Sequence, residues 1–168
     1  MGEVAERRHA PATFNGPLEA GVRAVAVLAA AHPRGFDLQR LIAFDYLLVH
    51  TGDVGGPDSL HPPVPLQAAE LLVRRKLVEQ ALLLMMTRDL VQREASGSGI
   101  RYLAGENAVP FLQALQTDYL CALKERADWL VDAFGAQTDP EFRAVMRRFF
   151  DRWVEEFQTA ERSLGAEP

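Results

Sequence analysis

A chain of 168 residues, 48% hydrophobic and 24% charged, is long enough for one sizeable core and short for two. Its formal net charge of -5 argues against tight nucleic-acid binding by bulk charge, and its single cysteine, Cys121, excludes an internal disulfide and a cysteine zinc site while fitting a reducing compartment. The opening MGEVAERRHAPATF lacks the apolar stretch of a secretory signal, and VRAVAVLAAAH and ALLLMM are too short to span a bilayer, so a cytoplasmic protein without membrane contact is expected.

Residues 1–16 are expected to form a flexible N-terminal segment. Pro17 suits a first helical position, and LEAGVRAVAVLAAAH predicts a helix that breaks at Pro33, its alanines allowing a neighbouring helix to approach closely. Asp37 can cap a second helix, LQRLIAFDYLLVH, whose stripe of Leu38, Leu41, Ile42, Leu48 and Val49 leaves the Asp45 carboxylate in or beside apolar surroundings. That acid needs a partner, and Arg74 or Arg75 can supply it.

Between the second and third helices lies HTGDVGGPDSLHPPVP, where glycines relax the backbone and prolines stiffen it. The mixture suits a loop held in one unusual shape, with Asp53, Gly55, Gly56 and His61 as its structural residues. His50, Asp53, Asp58 and His61 carry ligand atoms, but their spacing matches no hydrolytic metal motif, so a metal-dependent hydrolase is the weakest of the functional alternatives. GDVGGPD has neither the spacing nor the lysine of a phosphate-binding loop, Ser59 has no nucleophile-elbow context, and Cys121 sits within a helical pattern. No cofactor, metal or catalytic residue is assigned.

Residues 66–88 predict a long third helix bearing Arg74, Arg75 and Lys76, with ALLLMM near its end expected to be largely buried. LVQRE, ASGSG and IRYL then read as a β-hairpin, and residues 106–115 as a helix. Helix, hairpin and helix in this order give the expected fold: mainly α, a winged-helix-like helical domain over residues 17–135 with one β-hairpin and additional C-terminal helices. Thr117 opens a further helix closing on Gly135, a natural left-handed cap. Residues 136–168 are expected to form a C-terminal amphipathic helix, with Phe142, Val145, Phe149 and Trp153 facing the core and Phe150 and Phe157 offered to a neighbouring subunit.

Taken together, DLQRLIAFDYLLVHTGDVGGPDSLHPPVP, ELLVRRKLVEQALLLMMTRDLV, GIRYLAGENAVPFLQAL and LKERADWLV resemble the middle component 2 family of bacterial three-component ABC systems, conflict systems related to Lamassu anti-phage defence. The resemblance covers residues 22–134 and is most distinctive in HTGDVGGPDSLHPPVP. It implies a small non-enzymatic adaptor that links an SMC/Rad50-like ABC ATPase to an effector, often a nuclease.

Arg74, Arg75, Lys76 and Arg101 are the densest basic set on this acidic chain and are assigned to partner contact together with Phe150 and Phe157. The alternative is a winged-helix DNA-binding regulator gripping phosphates through the same cations and Arg93. Against it stand a connection between the second and third helices longer than a helix-turn-helix allows and the interleaved acids Glu70, Glu79, Asp89 and Glu94, which leave at most non-specific DNA contact within a complex.

Overall fold

A computed structural model of the chain describes residues 16–63, 68–149 and 162. Helix α1 (Pro17–Ala31) starts on Pro17, where the missing N–H removes no helical hydrogen bond. Helix α2 (Leu38–Val49) is capped by Asp37, whose Oδ1 accepts the Arg40 backbone N–H at 2.8 Å. A 3-10 turn (Thr51–Val54) leads into the loop, and α3 (Ala68–Met86) follows. At its end Asp89 takes a left-handed φ of 56° and the Leu90 N–H returns to the Met85 carbonyl, which stops the helix and launches the hairpin.

Strands β1 (Val91–Ser96) and β2 (Gly99–Ala104) pair antiparallel, in register from Val91 with Ala104 to Ser96 with Gly99. The connection is a two-residue turn, shorter than the ASGSG read from the sequence, because Ser96 and Gly99 already pair. Helix α4 (Ala108–Ala114) and helix α5 (Asp118–Leu130) follow; the Thr117 hydroxyl accepts the Leu120 N–H as the cap of α5. A π turn (Val131–Gly135) extends α5 before α6 (Asp139–Phe149). The protein is therefore mainly α with a single two-stranded hairpin.

Helix α1 is the hub, touching α2, α3, α4, α5 and β2. Its alanines explain this: Ala20, Ala24, Ala26 and Ala31 are buried and let neighbours approach from several sides. Around it Leu28, Phe44, Leu47, Leu48, Leu82, Met85, Leu123 and Leu130 are fully enclosed, each such side chain contributing about 1.5–3 kcal/mol by leaving water. Phe44 meets Phe36 and Phe142 edge to face at centroid distances of 5.0 and 5.4 Å, which ties α6 to α2.

Two expectations require correction. Gly135 is not a left-handed cap, since the positive-φ glycines are Gly55 and Gly99; the chain instead widens into the π turn, and Gly135 sits against Val131 and the Arg34 guanidinium. ALLLMM is not largely buried: Ala81, Leu82 and Met85 enter the core, but Leu83 and Leu84 are 58% and 37% exposed. A helix buried on one side turns only part of a continuous apolar run inward, and the rest faces solvent whatever its composition.

Candidate functional site

Asp45 carries two guanidinium groups. Its Oδ1 accepts from Arg23 Nε of α1 at 2.6 Å, and its Oδ2 accepts from Arg74 Nη1 of α3 at 2.5 Å. Asp45 and Arg23 are each only 3% exposed, so one buried carboxylate joins the first three helices. Of the two arginines the sequence offers as partners, Arg74 is the one that reaches, because it is on the side of α3 that faces α2. Arg23 is missed by the sequence reading. The signal was present: it is the one charged residue in the apolar run 20–31, and a cation there requires a buried counter-charge.

The loop is fastened to this anchor. Arg74 lies over the Tyr46 ring, 5.4 Å from its centroid, and the Tyr46 hydroxyl donates to Asp53 Oδ2 at 3.2 Å. Backbone closure comes from the Gly56 N–H to the Thr51 carbonyl at 2.9 Å and the His61 N–H to the Val49 carbonyl at 3.0 Å. The Thr51 hydroxyl donates to the Pro57 carbonyl, the Gly52 N–H donates to the Ser59 hydroxyl, and Arg126 of α5 donates twice to the Asp58 carbonyl. Gly55 takes φ +80° as the left-handed end of the 3-10 turn, whereas Gly56 is required for space: a Cβ there would lie 2.5 Å from the Trp129 ring. His61 Nε2 lies 2.8 Å from the Tyr119 hydroxyl of α5. Of the four loop residues named from the sequence, Asp53 meets α2 and Gly56 and His61 meet α5, while Gly55 faces open space.

His50 and His61 face each other ring edge to ring face, 6.3 Å between centroids, and His50 stacks on Tyr46 at 4.3 Å. Burial pushes the His50 imidazole below its ordinary pKa, with Asp53 opposing and Arg74 reinforcing the shift. His50 Nδ1 is buried with no hydrogen-bond partner, so a proton placed there would add an unmet donor. Burial lowers His61 as well, helped by Arg23 and Arg74, and raises the Tyr119 phenol. Neutral imidazoles packed on rings and a carboxylate engaged by a tyrosine make a structural polar cluster. Among the described residues, no group of three or more His, Cys, Asp or Glu side chains is placed to hold a metal ion.

The other named residues on α3 and β2 are half-buried or exposed. Arg75 Nε lies 3.3 Å from Glu79 one turn along α3, and Lys76 is exposed beside it. Leu72, Val73, Leu83 and Leu84 share this solvent side, with Val73 at 69% the most exposed of them. At about 100° per residue they share one sector of α3 as two apolar pairs about three turns apart, with Lys76 and Gln80 in the same sector between them. Arg101 on β2 lies elsewhere, in a cleft whose lining includes none of residues 74–76. Phe150 and Phe157 lie outside the described residues. No described helix is long and apolar enough to cross a membrane.

Comparison with known proteins returned no match among curated proteins or solved structures. A family model does match, over residues 13–156, reaching past both ends of the 22–134 resemblance into α6 and beyond it. That span includes the loop, the ionic anchor, the exposed side of α3 and the hairpin. The chain therefore belongs to the ABC-three component (ABC-3C) system Middle Component 2 family.

Proposed function

We propose that this chain is a non-catalytic adaptor that links an SMC/Rad50-like ABC ATPase to an effector subunit, often a nuclease, in a bacterial anti-phage defence complex of the Lamassu-related kind. One observation beyond family membership carries this reading. Helix α3 is locked from beneath by the Arg74–Asp45 ion pair while its outer side exposes Leu72, Val73, Leu83 and Leu84. Two apolar pairs on one side of a rigid element suit docking of a partner helix or sheet, since the backbone is already ordered and little entropy is lost on contact. Arg75 beside these pairs and Lys76 between them would set register against acidic groups of the ATPase. Arg74 contributes by positioning the helix, and the loop's Asp53, Gly56 and His61 hold α2 and α5 in place behind it, with Gly55 ending the 3-10 turn.

The test is co-expression with the neighbouring ATPase and effector, followed by affinity capture. Val73→Asp with Leu83→Asp, and separately Arg75→Glu, should weaken capture without lowering the melting temperature of the isolated chain. Capture unchanged by these substitutions would move the interface off α3. A salt-sensitive shift of duplex DNA by the isolated protein, without ATPase capture, would instead favour the DNA-binding regulator.

A further inference from the structure

A second surface feature lies on the hairpin side of the molecule. Arg34 on the α1–α2 connector, Arg40 on α2 and Arg101 on β2 line one open cleft of about 420 Å³, closed opposite by the turn 135–140. Its size falls among small-ligand clefts. Local structure explains why the three cations meet. Phe36 pairs with Tyr102 through both backbone bonds, at 2.9 and 2.8 Å, which lays the connector along β2. Gly35 makes this possible, because a Cβ there would lie 2.8 Å from the Tyr102 carbonyl oxygen.

The arginines are not equivalent. Arg40 is 5% exposed and fully engaged: it donates to the Phe134 and Gln137 carbonyls and to Asp139 Oδ1, and its guanidinium lies 4.2 Å from the Phe142 ring centroid. Both cleft carboxylates are also engaged by Arg40, Asp139 through the guanidinium and Asp37 through the backbone N–H. Arg34 and Arg101 are exposed, and neither has a carboxylate within ion-pair distance among the described residues. Arg101 lies opposite Glu94 in the strand register, yet its Nη1 turns to the Gly35 carbonyl, at a long 3.4 Å. Two guanidinium forks therefore line the same space without a carboxylate partner, beside the Asp139 side chain, which is 54% exposed.

We infer that this cleft binds an acidic peptide segment of a partner protein, Arg34 and Arg101 gripping a Glu or Asp carboxylate while the exposed Asp139 carboxylate accepts a peptide N–H. The mixed lining selects this ligand. A polyphosphate offers only acceptors, so it would meet repulsion from Asp37 and Asp139; a peptide supplies an anion for the arginines and N–H donors for those carboxylates. The inference deepens the adaptor reading and rests on it for the claim that the peptide belongs to a partner. Binding is read on the isolated chain, so its failure leaves the α3 capture experiment standing.

The experiment titrates the full chain with a short acetylated peptide of alternating Glu and Gly, followed by amide chemical shifts. The Glu peptide should perturb residues 34–37, 101 and 135–139, and its Gln counterpart should not. Arg34→Gln and Arg101→Gln should each weaken binding about tenfold or more, the loss of one charge-assisted contact, with the melting temperature unchanged. Arg88→Gln, an exposed arginine outside the cleft, should bind as the parent does. Equal binding of the Gln peptide, no binding of the Glu peptide, or full binding by both cleft variants would overturn the proposal. Stronger binding of inorganic pyrophosphate or a short DNA duplex at the same residues would also overturn it, by assigning the site to phosphate.

Discussion

Arg23 Nε lies 2.6 Å from Asp45 Oδ1, and neither side chain is more than 3% exposed, so α1 and α2 are joined by an ion pair with almost no access to water. Such a pair adds little over a well-packed apolar pair, yet removing one member leaves a charge stranded. Asp45→Ala removes the buried carboxylate shared by Arg23 and Arg74 and should cost about 3–5 kcal/mol. Urea unfolding measures it; a loss below about 1 kcal/mol, the scale of an exposed pair, would mean the cluster is solvated.

Gly56→Val should destabilise the chain by about 1–3 kcal/mol, because the new side chain collides with Trp129 rather than because of backbone strain. Gly55→Ala meets nothing within 4 Å and pays only for its left-handed φ, about 1–2 kcal/mol. The two mechanisms separate in a Trp129→Ala background: melting curves should show the Gly56→Val cost shrinking and the Gly55→Ala cost unchanged. Equal coupling of both glycines to Trp129 would contradict the assignment.

The histidines make stability depend on pH. His50 and His61 titrate lower in the folded chain than their ordinary 6.5, so below that value the unfolded chain binds more protons and folding is progressively opposed. Stability should be level with respect to these two groups above neutrality and fall as pH drops through about 6.5, where the unfolded-state imidazoles titrate. Denaturation midpoints between pH 8 and pH 5.5 test this. His50→Gln should flatten the slope, and a slope identical to that of the parent would show that His50 is not its source.

Much of this was legible in the sequence. Pro17, Asp37 and Thr117 mark helix starts through local chemistry, and Asp45 within an apolar stripe announces a buried ion pair. The Gly/Pro punctuation of the loop was readable, but what it packs against was not: that Gly56 faces an indole depends on Trp129 of α5, more than seventy residues away. The outward half of ALLLMM was misread because an apolar run carries no information about which side lacks a neighbour. Arg34, Arg40 and Arg101 belong to separate elements, and only the Phe36–Tyr102 bridge brings them to one cleft.

The central claim is that this chain connects two other components of an ABC-three component system. The most direct measurement is reconstitution of the neighbouring ATPase and effector with and without the purified chain, followed by mass determination in solution. The adaptor account predicts a three-component species with the parent chain, two unassociated proteins without it, and loss of ATPase association when Val73 and Leu83 are both replaced by Asp. Association of the ATPase with the effector to the same extent in the absence of this chain would contradict it.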